Sequence, residues 1–193
     1  KLNCNINQIY TASTGVIGEQ LDPNLIIKNL KLMSSSKKLD WLGAANAIKT
    51  TDTFPKFIKR KCKIHGVDIE IIGIAKGSGM IAPNMSTMLG FIITNANLSS
   101  NILQKLLLLS NEKSFNSITV DSDTSTSDTV LLVATRKAKH KIIHKITDSC
   151  LNEFKLCLSN LMLDLAKLIV RDGEGASKFI TIKVTGAVSK KSA

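Results

Sequence analysis

Residues Asp68–Ala75 and Met88–Thr94 are two apolar stretches of strand length, and what joins them restricts how the chain can fold. The first carries Ile69, Ile71 and Ile74 around Gly73. Between them run Lys76, Gly77, Ser78 and Gly79, then Ala82, Pro83 and Asn84, then Ser86 and Thr87. A glycine-rich turn that leads through a tight loop straight into a strand holds a small residue and a threonine in a constrained place. That arrangement suits self-cleavage. The Thr87 hydroxyl would attack the carbonyl of Ser86, an ester would form by N-to-O acyl shift, and water would release a new N-terminus. Thr87 would then carry a nucleophilic hydroxyl and its own base, an α-amino group with an ordinary pKa of about 8. A Gly-rich turn before a strand is also a common way of reversing a chain, so spacing alone leaves both readings open.

The rest of the composition narrows the function classes. The 193 residues suffice for one large or two small domains, and 44% of them are hydrophobic, so a packed core is expected. Net charge is +11, which invites nucleic acid. The cations are nearly all Lys, however, with Arg only at Arg60, Arg136 and Arg171, and aromatics make up just 4%. Base stacking wants aromatics and groove reading favours the Arg fork. The dense runs Lys56–Lys63 and Arg136–Lys145 therefore read as solvated surface, with an unspecific pull on anionic substrates. Cys4, Cys62, Cys150 and Cys157 form no close pair. Cys150 and Cys157 fall on one face of a helix, as core residues do. The expectation is a reducing, cytoplasmic compartment. His65, His140 and His144 include one pair a helical turn apart, His140 and His144, but no acidic or Cys partner lies at metal-site spacing beside that pair. Asp121, Ser122, Asp123 and Thr124 fail as a calcium loop, because Thr126 stands where the Gly is needed and Leu132 where the Glu is needed. No metal is expected. No apolar run reaches membrane-spanning length, and no signal-peptide pattern is visible. The start at Lys1 and the end at Ala193 suggest a fragment or processed piece.

Along the chain, Asp22 and Pro23 start a helix as cap and first residue, with Leu25, Ile26, Leu30 and Leu32 on its apolar side until Ser34. Asp40–Ile48 reads as a short Ala-rich helix and Leu98–Leu109 as another. Ile118–Asp121 and Val130–Thr135 read as strands around a Ser/Thr/Asp loop, and Phe179–Val184 alternates as a strand. Leu151, Phe154, Leu158, Leu161, Leu165 and Leu168 recur at helical spacing, as the core face of an amphipathic helix. Strands and helices alternate, so the fold class expected is layered α/β.

Five segments resemble one family in the same order. They are Ala12–Glu19, Thr50–Lys56, Lys76–Phe91, Val120–Thr129 and Val170–Thr181, and the similarity covers essentially the whole chain. The family is the bifunctional glutamate N-acetyltransferases (ornithine acetyltransferases) of arginine biosynthesis. The resemblance implies a sandwich of sheets and helices, superficially like the N-terminal-nucleophile hydrolases. It implies cleavage between Ser86 and Thr87, so that 1–86 is the end of an α chain and 87–193 the start of a β chain, in an α2β2 heterotetramer. It implies further sequence at both ends, with further substrate-binding residues beyond the C-terminus. Thr87 would be the nucleophile, and Thr14 with the Gly15 N–H the oxyanion hole. Substrate would meet Thr50, Lys76, Thr87 and Glu174; the neighbouring Thr51 stays open as a one-residue slip from Thr50. The acetyl group would pass from N-acetylornithine to glutamate with no metal or organic cofactor. Whether acetyl-CoA also donates is left open. Ser122, Ser127 and Ser86 depart mildly from the family, which usually has Gly, Asn and Ala there. Two other classes stay open. One is an N-terminal-nucleophile amidohydrolase or aminopeptidase, with water as acceptor. The other is a basic nucleic-acid-binding module without enzyme activity. The resemblance itself implies neither a nucleic-acid nor a membrane partner.

Overall fold

The computed structural model describes residues 4–15, 18–35, 40–79, 87–122, 125 and 127–189. Four strands make one mixed sheet in the order β1-β2-β3-β4. Strands β1 (Lys56–Ile64) and β2 (Val67–Lys76) form an antiparallel hairpin. Its turn, His65 and Gly66, has positive φ at both residues (50° and 75°), the geometry whose twist matches that of the flanking strands. Strand β3 (Leu89–Thr94) returns antiparallel to β2, and β4 (Thr129–Ala134) lies parallel to β3 at the other edge. The expected class, layered α/β, is what the chain adopts, with a single sheet among the described residues.

Helices α1 (Pro23–Ser35), α2 (Trp41–Ala47), α3 (Ser100–Asn111) and α4 (Asn152–Arg171) complete the fold. α4 lies across β1 and β2, and α3 packs on α4 and β4. The helical stripe is core as its spacing demands: Leu151, Phe154, Leu158, Leu161 and Leu165 are fully buried. Ile169 rather than Leu168 completes it, since Leu168 is half-buried. Burying a Leu or Phe side chain stabilises by about 1.5–3 kcal/mol, so this face outweighs the modest intrinsic helix propensities.

Where α4 meets β2, Gly73 lets the two approach. A Cβ there would stand 2.6 Å from Leu165 Cδ1 and 2.7 Å from Leu161 Cδ2. Both leucines are fully buried, so neither tip has free space to enter. Gly73→Ala is expected to cost about 1–3 kcal/mol through overpacking. The check is a lower denaturant midpoint at unchanged m-value; an unchanged midpoint would show that α4 simply rides outward.

Five local readings change. The basic run at Lys56–Lys63 is strand β1, solvated on one face as expected but with Lys56 buried on the other. Lys56, Cys62 and Ile64 are buried toward α4, while Lys59, Lys61 and Lys63 face out, where Glu70 and Asp68 pair with them. Lys on an edge strand also blunts pairing with other chains. Residues 179–184 form no strand, and Phe179, Ile180, Ile182 and Val184 are exposed. Residues 118–121 likewise form no strand. Cys150 lies not in the helix but in the 3₁₀ turn Ser149–Leu151 before it, while Cys157 sits in α4. Helix α1 forms where Asp22 and Pro23 start it, and the Asn24 N–H donates to Asp22 Oδ1 at 2.9 Å, but Leu25, Ile26, Leu30 and Leu32 are exposed.

Candidate active site

The open ends of β1 and β2, away from their hairpin turn, carry two lysines without any solvent exposure, Lys56 and Lys76. Strand alternation puts them on opposite faces. Lys56 lies opposite Ala75 and points with Gly73 toward α4; Lys76, one residue on, points the other way.

Lys56 is fully paired. Its Nζ lies 2.5 Å from Asp52 Oδ1 and 2.6 Å from Asp172 Oδ2, with the cation 4.9 Å from the centre of the Phe54 ring. The carboxylates are satisfied further. Asp52 accepts from the Gly77 N–H at 2.7 Å and from the Thr50 N–H at 3.3 Å. Asp172, just past the end of α4, accepts from the Thr53 N–H at 3.0 Å and from the Thr53 hydroxyl. Burial pushes the Asp52 carboxyl up, but the bond from Lys56 and the backbone N–H groups outweigh it and hold the group below the usual carboxylate range. The network ties the loop at 50–53, the start of β1, the end of α4 and the turn after β2 into one unit.

Lys76 differs. Its Nζ donates to Thr50 Oγ1 at 2.9 Å, and no carboxylate pairs with it among the described residues. Burial pushes its ammonium below the ordinary lysine value, with Asp52 opposing and Lys56 adding to the shift. A buried cation with one neutral partner is poised to receive an anion. Of the two adjacent threonines it is Thr50 that contacts Lys76, while the Thr51 hydroxyl shares a hydrogen bond of 2.6 Å with Ser78 Oγ.

After Lys76 the chain turns through Gly77 and Gly79, both at positive φ (145° and 138°), a region that favours glycine. The Ser78 carbonyl accepts from the Glu174 N–H at 2.6 Å. That brings the Gly173–Gly175 turn beside Gly79, with the Glu174 side chain exposed. Thr87 arrives from the other strand. Leu89 pairs with Lys76, so Thr87 lies two residues before the ladder begins, at the same end of the sheet. Thr87 is 6% exposed, and its Oγ1 accepts from Ser125 Oγ at 3.3 Å. A cleft of about 650 Å³ opens beside this sheet end; Gly77, Ser78, Met88, Ser125 and Asp128 line it with apolar side chains such as Phe115, while Thr87, Lys76, Thr50 and Glu174 do not.

Thus Lys76 and Thr50 touch, Glu174 is joined to the same turn, and Thr87 stands at the same sheet end. Thr14 and Gly15 lie in the irregular segment before α1. Thr14 Oγ1 is shielded from water with no hydrogen-bond partner among the described residues, and Gly15 packs near Leu21. Among the described residues neither hydrogen-bonds to Thr87 nor lines the cleft. Ser86 and the Ala82–Asn84 loop lie outside the described residues. The sequence pattern does not single out Asp52, Lys56, Asp172, Ser78 or Ser125 as site residues. Only Asp52 and Lys56 left a sequence signal, being four apart, too common a spacing to stand out.

The one three-residue group of potential metal ligands among the described residues is elsewhere. His65, Asp148 and Cys150 bring ligand atoms within 4.8 Å of one another at the hairpin-turn end of the sheet. Burial and the neighbouring Asp148 push the Cys150 thiol up to about 11, so it is held protonated at neutral pH. His140 is not part of it: its Nε2 accepts from the Asn97 N–H at 2.8 Å and its Nδ1 lies 2.8 Å from the Lys141 carbonyl. No helix among the described residues is long and apolar enough to cross a membrane.

Known proteins are similar to this chain over its whole length. The arginine biosynthesis bifunctional protein ArgJ of Gluconobacter oxydans (strain 621H) is 50% identical over 193 residues, which are 100% of this chain and 46% of that protein. The protein of the same name from Zymomonas mobilis subsp. mobilis is 47% identical over 192 residues, 100% of this chain and 47% of its own length. The crystal structure of arginine biosynthesis bifunctional protein ArgJ from Bacillus halodurans aligns with a TM-score of 0.42 at 41% identity, over 46% of this chain and 41% of that one. The chain spans about half the length of the curated relatives it matches. The profile of the ArgJ family covers residues 1–193, so the chain belongs to that family.

Proposed function

We propose that this chain serves acetyl transfer from N-acetylornithine to glutamate, through an acetyl ester on Thr87 formed after cleavage between Ser86 and Thr87. The observation that carries the reading is that the nearly buried Thr87 stands at the same sheet end as a buried Lys76 that makes no carboxylate ion pair among the described residues. The naming of its relatives as bifunctional proteins of arginine biosynthesis agrees with it.

The α-amino group of Thr87 takes the hydroxyl proton while the oxygen bonds to the acetyl carbonyl carbon. The C–N bond of N-acetylornithine breaks, and ornithine leaves with the proton. The glutamate amine then attacks the ester carbon, the C–O bond to Thr87 breaks, and N-acetylglutamate departs. In both halves negative charge gathers on the acetyl oxygen, where the Thr14 hydroxyl and the Gly15 N–H serve as donors. Lys76 with Thr50 takes a substrate carboxylate and Glu174 an amino group. The chain ending at Ser86 and the chain starting at Thr87 stay together as an α2β2 enzyme of the cytoplasm.

The test uses the full-length enzyme. Intact mass is expected to show two chains, the second starting at Thr87 and carrying an acetyl group after exposure to N-acetylornithine. Isotopic acetyl should then appear in glutamate. An active, uncut chain would overturn the reading, and release of acetate alone would assign the site to an amidohydrolase.

A further inference from the structure

The loop before β4 holds Thr87 and Met88 by three hydrogen bonds. Ser125 Oγ donates to Thr87 Oγ1 at 3.3 Å, the Met88 N–H donates to Asp128 Oδ1 at 2.9 Å, and the Thr129 N–H donates to the Met88 carbonyl at 3.0 Å. The last two fix the backbone next to the nucleophile. The first touches the reacting oxygen itself, and its direction is set. Ser125 Oγ also accepts from the Ser127 N–H at 3.1 Å. A hydroxyl has one proton and two lone pairs. The Ser127 N–H occupies one lone pair and leaves the Ser125 proton available for Thr87, the direction in which the two hydroxyls are disposed. Thr87 Oγ1 then receives a hydrogen bond, and its own proton stays free for its α-amino group.

We propose that Ser125 is a catalytic residue of the acetyl transfer, a fixed donor to the Thr87 oxygen that acts mainly when that oxygen is the leaving group. The proposal rests on the reading of Thr87 given above. In the first half-reaction the oxygen starts as a hydroxyl that already accepts from Ser125, so the donor gains little on the way to the transition state, whereas the ester oxygen from which the second half-reaction starts is a poor acceptor. In the second half-reaction glutamate has added to the ester carbon, and the C–O bond breaks with its electron pair moving onto Thr87 Oγ1. Charge grows there until the ammonium of Thr87 returns the proton. Ser125 keeps its own proton throughout and stabilises the departing oxygen. Donors of this kind act most strongly where charge appears only in the transition state. Asp128 is a positioning residue, acting through the Met88 backbone.

The kinetic signature is specific. In a two-step transfer, kcat/KM for N-acetylornithine depends on acetylation alone. Ser125→Ala in the full-length, cleaved enzyme is expected to lower kcat about 10²-fold, by analogy with loss of one oxyanion donor. KM for N-acetylornithine should fall in parallel, and the Thr87 chain should accumulate the acetyl adduct by mass. Ser125→Thr, which keeps a hydroxyl, should stay near wild type. Should Ser125→Ala not yield folded enzyme, Ser125→Cys, a weak donor of similar shape, carries the same expectation with at least a tenfold fall. Unchanged kcat in either variant overturns the proposal. So does an equal loss of kcat and kcat/KM without adduct, which is the mark of a merely structural residue. Failure of the underlying reading looks different: the wild-type Thr87 chain would never carry acetyl, or Thr87→Ala would retain activity.

Discussion

Lys56→Met is expected to destabilise the folded chain by about 3–5 kcal/mol, a large share of the 5–15 kcal/mol that holds a typical domain together. The variant keeps the apolar stem but leaves Asp52 and Asp172, both with fully or almost fully buried side chains, without the cation between them. Two desolvated carboxylates cannot both stay ionised at short range, so one must take up a proton or the network must open. The pH dependence should reverse. In the wild type the folded Asp52 titrates below its ordinary value, so its contribution is complete above about pH 4 and is lost as pH falls through the lower folded value. Without Lys56 the burial that raises its pKa prevails, and the variant should gain stability on acidification from pH 7 to pH 5. Denaturant midpoints at the two pH values check both statements. A loss under 1 kcal/mol with the wild-type pH slope would mean that water or another group replaces the ammonium. The triple variant Lys56→Met, Asp52→Asn, Asp172→Asn should recover part of the loss, because no charge is then left uncompensated.

That network also shows why sequence reading reaches some of the candidate site and not the rest. Thr87, Lys76, Thr50 and Glu174 stand in local segments of recognisable order, and the strands and turns that carry Lys76 and Thr87 follow from apolar runs around glycines. The partners of Lys56 do not. Asp172 is 116 residues away, and nothing local announces that α4 ends over the first residue of β1. Likewise the contact of Ser125 with Thr87 spans 38 residues and depends on β4 lying parallel to β3. Strand β1 was hidden for a different reason. Lys at 56, 59, 61 and 63 obscures an alternation of Lys56, Ile58, Arg60, Cys62 and Ile64 toward the helix, which pairing with β2 reveals. Residues 179–184 err the other way: alternation offers a face, but a strand exists only where a neighbour completes its ladder.

Lys76→Met should separate stability from activity, in the opposite sense to Lys56→Met. Both lysines are wholly buried, yet Lys76 has only the Thr50 hydroxyl at 2.9 Å as its hydrogen-bond partner, with no ion pair among the described residues. Its removal strands no carboxylate. Burial depresses its pKa, so folding pays for an ammonium that would sooner be in water. A group with a lowered folded value binds fewer protons folded than unfolded, so wild-type stability should rise with pH from that value toward the ordinary lysine pKa of about 10.4. The variant should lack this rise and be at least as stable as the wild type at pH 7. Activity should move the other way. A buried cation that meets a substrate carboxylate contributes about 2–5 kcal/mol, which corresponds to a roughly 30- to 4,000-fold loss of kcat/KM for both substrates, since in the mechanism proposed above donor and acceptor would occupy one site in turn. Self-cleavage needs no free substrate and should proceed, so the purified variant should still be two chains. A variant destabilised as much as Lys56→Met would make Lys76 a structural residue, and one with wild-type kcat/KM would remove it from substrate binding.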